Sequence, residues 1–151
     1  MKIYTIGTSN RSIEEFIDLL KNYRIESVVD VRRFPTSKFS HFKKENLEKY
    51  LADKGIKYIY LGDLLGGYRK ESYEKYMESD EFKRGLHILE KIAEKENTAV
   101  MCCEKFPWRC HRRFIAKKLA LLGIEVIHII EKDKTWETSN QISSHFHQDF
   151  P

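Results

Sequence analysis

Short apolar runs alternate along the chain with segments whose apolar residues recur every three or four positions. The runs are rich in β-branched residues and are bounded by Gly, Pro or charged residues, which predicts β-strands. The predicted strands cover residues 2–6, 25–31, 56–61, 98–102 and 124–130. The segments between them have the periodicity of amphipathic helices.

Capping signals indicate where these helices begin and end. Ser12 and Glu15 have the spacing of a capping box, and Gly55 and Gly123 are placed to end helices. The predicted helices are one that follows Ser12, one over 43–54, a short one over 73–78, one that starts at Ser79 or Asp80, and one over 110–122.

Strands that alternate with helices predict right-handed crossovers and a parallel sheet covered on both faces. The fold class is therefore α/β, a three-layer sandwich with a mainly parallel sheet of about five strands. We predict one domain over residues 1–130. From Glu131 onward the composition shifts to Ser, Thr, Asn, Gln and His, which predicts a C-terminal extension over 131–151 with little core of its own.

Composition excludes a membrane-spanning helix, because no run of 18 apolar residues occurs in the 151 residues. The amino-terminal residues are typical of a strand and lack the apolar stretch of a signal peptide. The three cysteines, Cys102, Cys103 and Cys110, are an odd number clustered in nine positions. Such a cluster is a poor disulfide framework and favours a reducing, cytoplasmic location.

Positive charge is concentrated in two stretches that contain no Asp or Glu. Residues 32–44 carry five Lys or Arg and residues 105–118 carry six. Because the whole chain is only +4, the remainder is net acidic. This distribution favours an anionic partner, although Lys and Arg that simply solvate loops and helices would give the same pattern.

The predicted topology places the site, because ligands of open α/β sheets bind beyond the carboxyl ends of the strands. Polar or charged residues follow each of the first four predicted strands. The candidate ligand-binding residues among these strand ends are Ser9, Arg11, Arg32 and Glu104.

The strongest local signal is residues 101–113, in which two thiols end a strand and a third opens a helix. His111, Arg112 and Arg113 make the first turn of that helix cationic, which opposes the helix dipole. A bound anion would resolve this conflict, and a thiol there would have a lowered pKa. The alternative interpretation is that the cysteines are small core residues at a strand end.

Two other interpretations of these cysteines have weaker support. Cys103 and Arg109 match the Cys-x5-Arg spacing of a phosphatase phosphate loop, but the loop lacks glycines and Pro107 removes one backbone donor. A zinc site would need a different spacing of Cys and His, and His128 fits a core edge better. We therefore predict neither a metal nor a cofactor.

Several residues elsewhere complete the candidate site. Asp30, at the end of the second strand, could orient Arg32 or His111 or act as a base, although capping a loop is a common role for such a residue. Gly66 and Gly67 could let the backbone approach a ligand, as could an ordinary turn. The basic loops are flanked by aromatic residues, which suit base stacking beside phosphate contacts, although about half would serve the core: Phe34, Phe39, Phe42, Tyr68, Phe106 and Trp108.

Four motifs in this order resemble the domain-of-unknown-function 488 family, over about residues 2–130. They are Ile6-Gly7-Thr8-Ser9-Asn10-Arg11, Val29-Asp30-Val31-Arg32-Arg33-Phe34-Pro35, Leu61-Gly62 with Gly66-Gly67, and Cys102-x-Glu104-Lys105 with Cys110-His111-Arg112. The resemblance implies an α/β fold with a site at these segments, and it implies no activity. It aligns Cys102 with the family's first cysteine and places Cys103 where the family has alanine, so the Cys-x5-Arg match is accidental.

The sequence thus predicts an enzyme-like domain with a cationic, thiol-containing site for a phosphate-bearing ligand, a nucleotide or nucleic acid. Arg32, Arg112 and Arg113 would hold the anion, Cys102 or Cys110 would be the reactive thiol, and His111 or Asp30 would carry the proton. The alternative is a module that binds nucleic acid without catalysis. The reaction and the oligomeric state do not follow from the sequence.

Overall fold

The computed structural model describes residues 1–138, which form a three-layer α/β sandwich around one six-stranded sheet. The strand order is β3-β2-β4-β1-β5-β6, in which β1 to β5 are parallel and β6 is antiparallel to β5. The strands are β1 (Lys2–Gly7), β2 (Ser27–Asp30), β3 (Lys57–Tyr60), β4 (Thr98–Cys102), β5 (Glu125–Glu131) and β6 (Lys134–Thr138). The predicted fold class is confirmed.

The helices follow the predicted apolar faces and capping signals. In the first helix, Ser12 and Glu15 form the predicted capping box, with each side chain accepting from the other residue's backbone N–H. The α-helices are α1 (Ile13–Asn22), α2 (Lys44–Asp53), α3 (Gly62–Leu65), α4 (Tyr73–Tyr76), α5 (Asp80–Lys95) and α6 (Arg112–Leu121).

Two apolar clusters hold the helices against the two faces of the sheet. On one face, Phe16 of α1 and Leu47 of α2 pack with Val28 of β2. On the other face, Leu89 of α5 and Leu119 of α6 pack with Val100 of β4. Burial on both faces explains why the apolar residues of β2 and β4 are consecutive instead of alternating, as in Val28-Val29 and Ala99-Val100-Met101.

The sixth strand lies in the segment for which the sequence predicted only an extension. β6 pairs with β5 from Lys134, opposite Glu131, to Thr138, opposite Val126. β6 consists mainly of Lys, Thr and Glu residues, most of which are exposed at the sheet edge. It therefore has no hydrophobic pattern from which a strand could be predicted. The rest of the predicted extension lies outside the described residues, and the division at residue 130 stays a prediction. None of the helices in residues 1–138 has the length and apolarity needed to cross a membrane.

Two local differences from the predicted elements occur near the strand ends. The segment after β3, predicted as a loop, contains the single turn of α3. The last helix begins at Arg112 instead of residue 110, because a 3-10 turn over Pro107–Arg109 precedes it and Cys110 is extended, with φ −145° and ψ 171°.

Candidate active site

A cavity of about 510 Å³ lies beyond the carboxyl ends of β2 and β4. It combines residues from the loops after β2, α3 and β4 with the residues that precede α6. Six of the residues predicted for the site line it: Arg32, Gly67, Cys102, Glu104, Cys110 and His111. Arg32 and Cys102 therefore lie at the same end of the sheet, as the predicted topology requires.

Two of the three thiols are in direct contact at the floor of this cavity. The Sγ atoms of Cys102 and Cys110 lie 2.8 Å apart, and no disulfide joins them. Cys102 is buried at the end of β4, whereas Cys110 is partly exposed. The backbone N–H of Arg112, at the start of α6, donates to Cys110 Sγ over 3.3 Å. The helix start thus binds a sulfur atom of the chain itself.

Arg112 is a fully buried cation, with 0% of its surface exposed. Its Nη2 donates to the backbone oxygens of Glu104 and Lys105, over 2.8 and 2.9 Å. Its Nε and Nη1 have no hydrogen-bond partner among the described residues. A buried charge without a counterion is costly, so an anionic group near Arg112 is strongly favoured.

The pKa values of the two thiols are shifted in opposite directions by this environment. Burial, and then the hydrogen bond with Cys110, raise the pKa of Cys102 well above its ordinary value. Burial alone would also raise the pKa of Cys110, but the bond from Cys102, the charge of Arg112 and its backbone N–H together lower it. Cys110 is therefore the better thiolate, with Cys102 as its protonated neighbour. The sequence predicted a lowered pKa at this position without distinguishing the two.

His111 lines the cavity as a neutral side chain. Its Nε2 lies 3.1 Å from the backbone oxygen of Val31, and because a carbonyl only accepts, this nitrogen carries the proton. Burial, and to a smaller extent the charges of Arg112 and Arg69, lower the pKa of His111 to about 4. A Cβ at Gly67 would lie 3.4 Å from His111 Nδ1, so the proton-accepting nitrogen faces the backbone of Gly67.

Asp30 lies beneath the cavity and does not line it. It is fully buried, and its carboxylate accepts from Arg32 Nε and Nη2, both over 2.9 Å. The hydroxyl of Tyr58 also donates to Asp30 Oδ2, over 2.5 Å. Arg32 in turn donates to the backbone oxygen of Phe42 over 2.8 Å. Asp30 thus orients Arg32, and much of the Arg32 charge is neutralised within the protein.

The structure places several predicted site residues away from the cavity. Arg11 donates to the backbone oxygens of Gly7 and Ile130 and forms an ion pair with Glu131. Ser9 has a φ of 50°, and its backbone N–H donates to the backbone oxygen of Cys103. Arg113 donates to the backbone oxygen of Trp108.

Gly66 is placed for a packing reason. A Cβ there would lie 2.7 Å from the Cα of Arg33, so only glycine lets these two backbone segments meet. Six of the predicted site residues thus do not line the cavity: Ser9, Arg11, Asp30, Gly66, Arg112 and Arg113.

Seven further residues line the cavity, and the sequence predicted none of them as catalytic or ligand-binding, although it indicated Phe34 and Tyr68 as candidates for base stacking. They are Arg33, Phe34, Thr36, Tyr68, Tyr73, Cys103 and Arg109. Arg33 donates to the backbone oxygen of Tyr68 over 2.7 Å, while the side chain of Arg109 is exposed and makes no hydrogen bond or ion pair within the described part of the chain. For Arg33 and Arg109 the available signal was their position in the two acid-free stretches, but charge alone does not separate Arg109 from Arg112.

Phe34 and Tyr68 form an aromatic pair at the rim. Their side chains are 61% and 83% exposed, and their ring centroids lie 5.9 Å apart. The guanidinium of Arg33 lies 5.8 Å from the Phe34 ring centroid. Two exposed rings beside a cation are a surface suited to stacking a planar group.

The loop between β4 and α6 does not have the form of a phosphate loop. Such a loop directs backbone N–H groups inward, but here the oxygens of Glu104 and Lys105 point at Arg112. In residues 1–138, no three His, Cys, Asp or Glu side chains are grouped so that they could hold a metal ion.

Comparison with known proteins gives a family match. A family model described as "Domain of unknown function DUF488" matches residues 12–119, which is more than half of the chain. No curated protein and no solved structure matches the chain.

Proposed function

Since this chain belongs to the DUF488 family, a domain of unknown function, we propose a function from its own cavity: a thiol-dependent enzyme that binds a nucleotide or another phosphate-bearing ligand. The observation that carries the proposal is the Cys102–Cys110 thiol pair, which lies in the same cavity as the side chains of Arg33 and Arg109. Free thiols in such a site also suit the reducing cytoplasm, which we propose as its location.

The proposed ligand follows from the polar and aromatic groups of the lining. Arg109 and Arg33 offer guanidinium donors for a phosphate, for which a planar fork is well suited. The rings of Phe34 and Tyr68 suit a nucleobase, and the exposed carboxylate of Glu104 could accept from sugar hydroxyls. A volume of about 510 Å³ lies within the usual range for small-molecule pockets.

The proposed reactive group is the Cys110 thiolate. Cys102 donates a hydrogen bond to it, and the buried charge of Arg112 favours its anionic form. His111, neutral and fixed to Val31, offers Nδ1 as an acceptor for a ligand proton. The proposed anion-binding residues are Arg33 and Arg109, because the cavity exposes their donors. They take the place of Arg32, Arg112 and Arg113 in this proposal.

Calorimetric titration with a nucleoside monophosphate, the parent nucleoside and inorganic phosphate tests this proposal. Arg109→Gln should raise the Kd of the nucleotide about tenfold or more, because a hydrogen bond to a charged group contributes about 1.5–3 kcal/mol. Tyr68→Ala should weaken the binding of the nucleotide but leave the affinity for inorganic phosphate unchanged. The matched control is Lys91→Gln on the exposed side of α5, which changes charge far from the lining. No binding of any of the three compounds would contradict the proposal.

The alternative, a non-catalytic nucleic-acid-binding module, makes a different prediction. Lys43 and Lys44 belong to the first acid-free stretch but do not line the cavity. If oligonucleotides bind, affinity should fall with salt by about 0.7–0.9 in log–log slope per phosphate contact, and Lys43→Ala/Lys44→Ala should reduce that slope. A small-ligand site should be insensitive to this double substitution.

A further inference from the structure

We propose that Cys102 and Cys110 form a reversible disulfide when the protein meets a hydroperoxide, which makes the floor of the cavity a redox modification site. The observation behind it is the direct contact of the two sulfur atoms, 2.8 Å apart with no bond between them. A disulfide is about 2.05 Å long, so closure needs an approach of less than roughly 1 Å. The two cysteines are eight positions apart, with Cys102 at the end of β4 and Cys110 two residues before α6.

The two sulfurs differ in the way that such a reaction requires. Cys110 is partly exposed in the cavity and accepts a hydrogen bond from the backbone N–H of Arg112, so a peroxide can reach a sulfur that is stabilised as thiolate. Cys102 is buried behind it and keeps its proton, because burial and its hydrogen bond with Cys110 raise its pKa. One cysteine is thus accessible and nucleophilic, and the other is protected and adjacent.

The chemistry balances in two steps. The Cys110 thiolate attacks one peroxide oxygen, the O–O bond breaks, and the leaving alkoxide takes a proton to become an alcohol, or water when the oxidant is hydrogen peroxide. Cys102 sulfur then attacks the sulfenic sulfur of Cys110, the S–O bond breaks, and the hydroxide leaves with the Cys102 proton as water. The peroxide gains two electrons and the thiol pair loses two. A dithiol reductant returns both thiols by thiol–disulfide exchange.

The third cysteine provides the comparison within the same cavity. Cys103 is exposed as a residue, and its pKa is raised by the partial desolvation of its thiol and by the neighbouring Cys102. Within residues 1–138, Cys103 Sγ makes no hydrogen bond with either of the other two sulfurs. Accessibility alone would favour oxidation of Cys103, whereas the contact favours the pair.

The consequence for the proposed enzyme, which rests on the proposed function, is inactivation by oxidation. A disulfide is neutral, so it removes the thiolate beside the ligand and leaves Arg112 without a neighbouring negative charge. The oxidised protein should still bind the phosphate-bearing ligand through Arg33 and Arg109 but lack the reactive group.

Intact-protein mass spectrometry after stoichiometric hydrogen peroxide tests the modification itself. We expect a loss of about two mass units, for two hydrogens, fully reversed by dithiothreitol, with peptide mapping that joins Cys102 to Cys110. Cys103→Ser, the matched control, should form the same disulfide. Cys102→Ser should stop at the sulfenic acid of Cys110, trapped as a dimedone adduct, and Cys110→Ser should form no disulfide.

Several results would overturn the inference. They are an unchanged mass at stoichiometric peroxide, a mapped bond that contains Cys103, or a Cys102→Ser protein without a dimedone adduct. These measurements use no phosphate ligand, so they separate the two proposals. A disulfide without nucleotide binding would overturn only the proposed function, and nucleotide binding without a disulfide would overturn only the redox site.

Discussion

Asp30 holds Arg32 through both carboxylate oxygens, in a two-point ion pair of 2.9 Å contacts at the end of β2. Asp30 is fully buried and the Arg32 side chain is 5% exposed, so this pair is shielded from solvent. The same carboxylate also accepts from the backbone N–H of Arg32 over 3.0 Å. The direction of the chain as it leaves β2 towards the cavity is thus fixed by one acidic side chain.

Asp30→Asn should destabilise the protein by about 3–5 kcal/mol, because it leaves the Arg32 charge buried without a counterion. The free energy of unfolding from urea denaturation measures this effect. Lys91→Ala is the control, since the Lys91–Glu94 pair is exposed on both sides and should change stability by less than about 1 kcal/mol. Equal effects of the two substitutions would contradict the role given to Asp30.

Cys110 should be alkylated by iodoacetamide with a midpoint below the ordinary thiol pKa of about 8.5, because its pKa is lowered. The measurement uses the Cys103→Ser protein, with mass mapping of the modified cysteine, so that the exposed thiol does not contribute. Arg112→Gln should move the midpoint to higher pH by removing the buried positive charge. Arg109→Gln, which changes an exposed guanidinium, is the control.

A wild-type protein whose thiols stay inert until it unfolds would show that the cysteines serve only the core. Because Arg112 is buried, the near-ultraviolet circular dichroism of Arg112→Gln should be compared with wild type before its alkylation profile is interpreted.

His128 should make the protein less stable as the pH falls below about 6.5. It is buried between Thr5 and Thr138, with Nδ1 2.6 Å and Nε2 2.5 Å from their hydroxyls, and burial lowers its pKa to about 3. Between these pH values the unfolded chain binds a proton that the folded chain rejects, so unfolding is favoured as acid is added. One such histidine lowers the free energy of unfolding by about 2 kcal/mol between pH 6.5 and pH 5.

Urea denaturation at several pH values checks this prediction. The quantity compared is the slope of the free energy of unfolding against pH, and not the free energy at one pH. His128→Gln should have the shallower dependence on pH, since it has no group to titrate at that position. His87→Gln, on the exposed side of α5, should keep the wild-type slope. Identical slopes for all three proteins would exclude His128 as a source of acid sensitivity.

Gly7→Ala should destabilise the protein by about 1–3 kcal/mol, because the new methyl group meets backbone that cannot move freely. A Cβ at Gly7 would lie 1.8 Å from the carbonyl oxygen of Glu104 and 2.9 Å from the Cα of Lys105. Gly67→Ala is the comparison, since its nearest contact is an ordinary 3.4 Å to His111. Thermal melting of both variants measures the difference, and similar melting temperatures would contradict the close approach.

The position of the cavity could be predicted from the sequence because it depends on strand ends. Apolar runs and capping signals located β2 and β4, and parallel topology brings Arg32 and Cys102 to the same end. The environment of each charge could not be predicted. Arg11 and Arg112 donate to backbone oxygens within the protein, and an arginine buried in this way has the same sequence signature as one that faces a ligand.

The aromatic pair illustrates the same limit. Phe34, Phe39 and Phe42 lie in one basic stretch, yet Phe42 is buried against Phe16 and Phe34 stands at the cavity rim. Which of them faces outward depends on the 3-10 turn over Ser40–Phe42 and on packing against α1, and neither is encoded in the local pattern of the stretch.

The addition of β6 determines which strands border the sheet. Without β6, the seven-residue β5, with four apolar residues in its centre, would offer unpaired backbone groups to the β-strands of other molecules. With β6 in place, the two edge strands of the sheet formed by residues 1–138 are β3 and β6, which have four and five residues and carry the exposed Lys57, Lys134 and Glu137. Short, charged borders resist intermolecular strand pairing, so this polar segment protects the protein from aggregation.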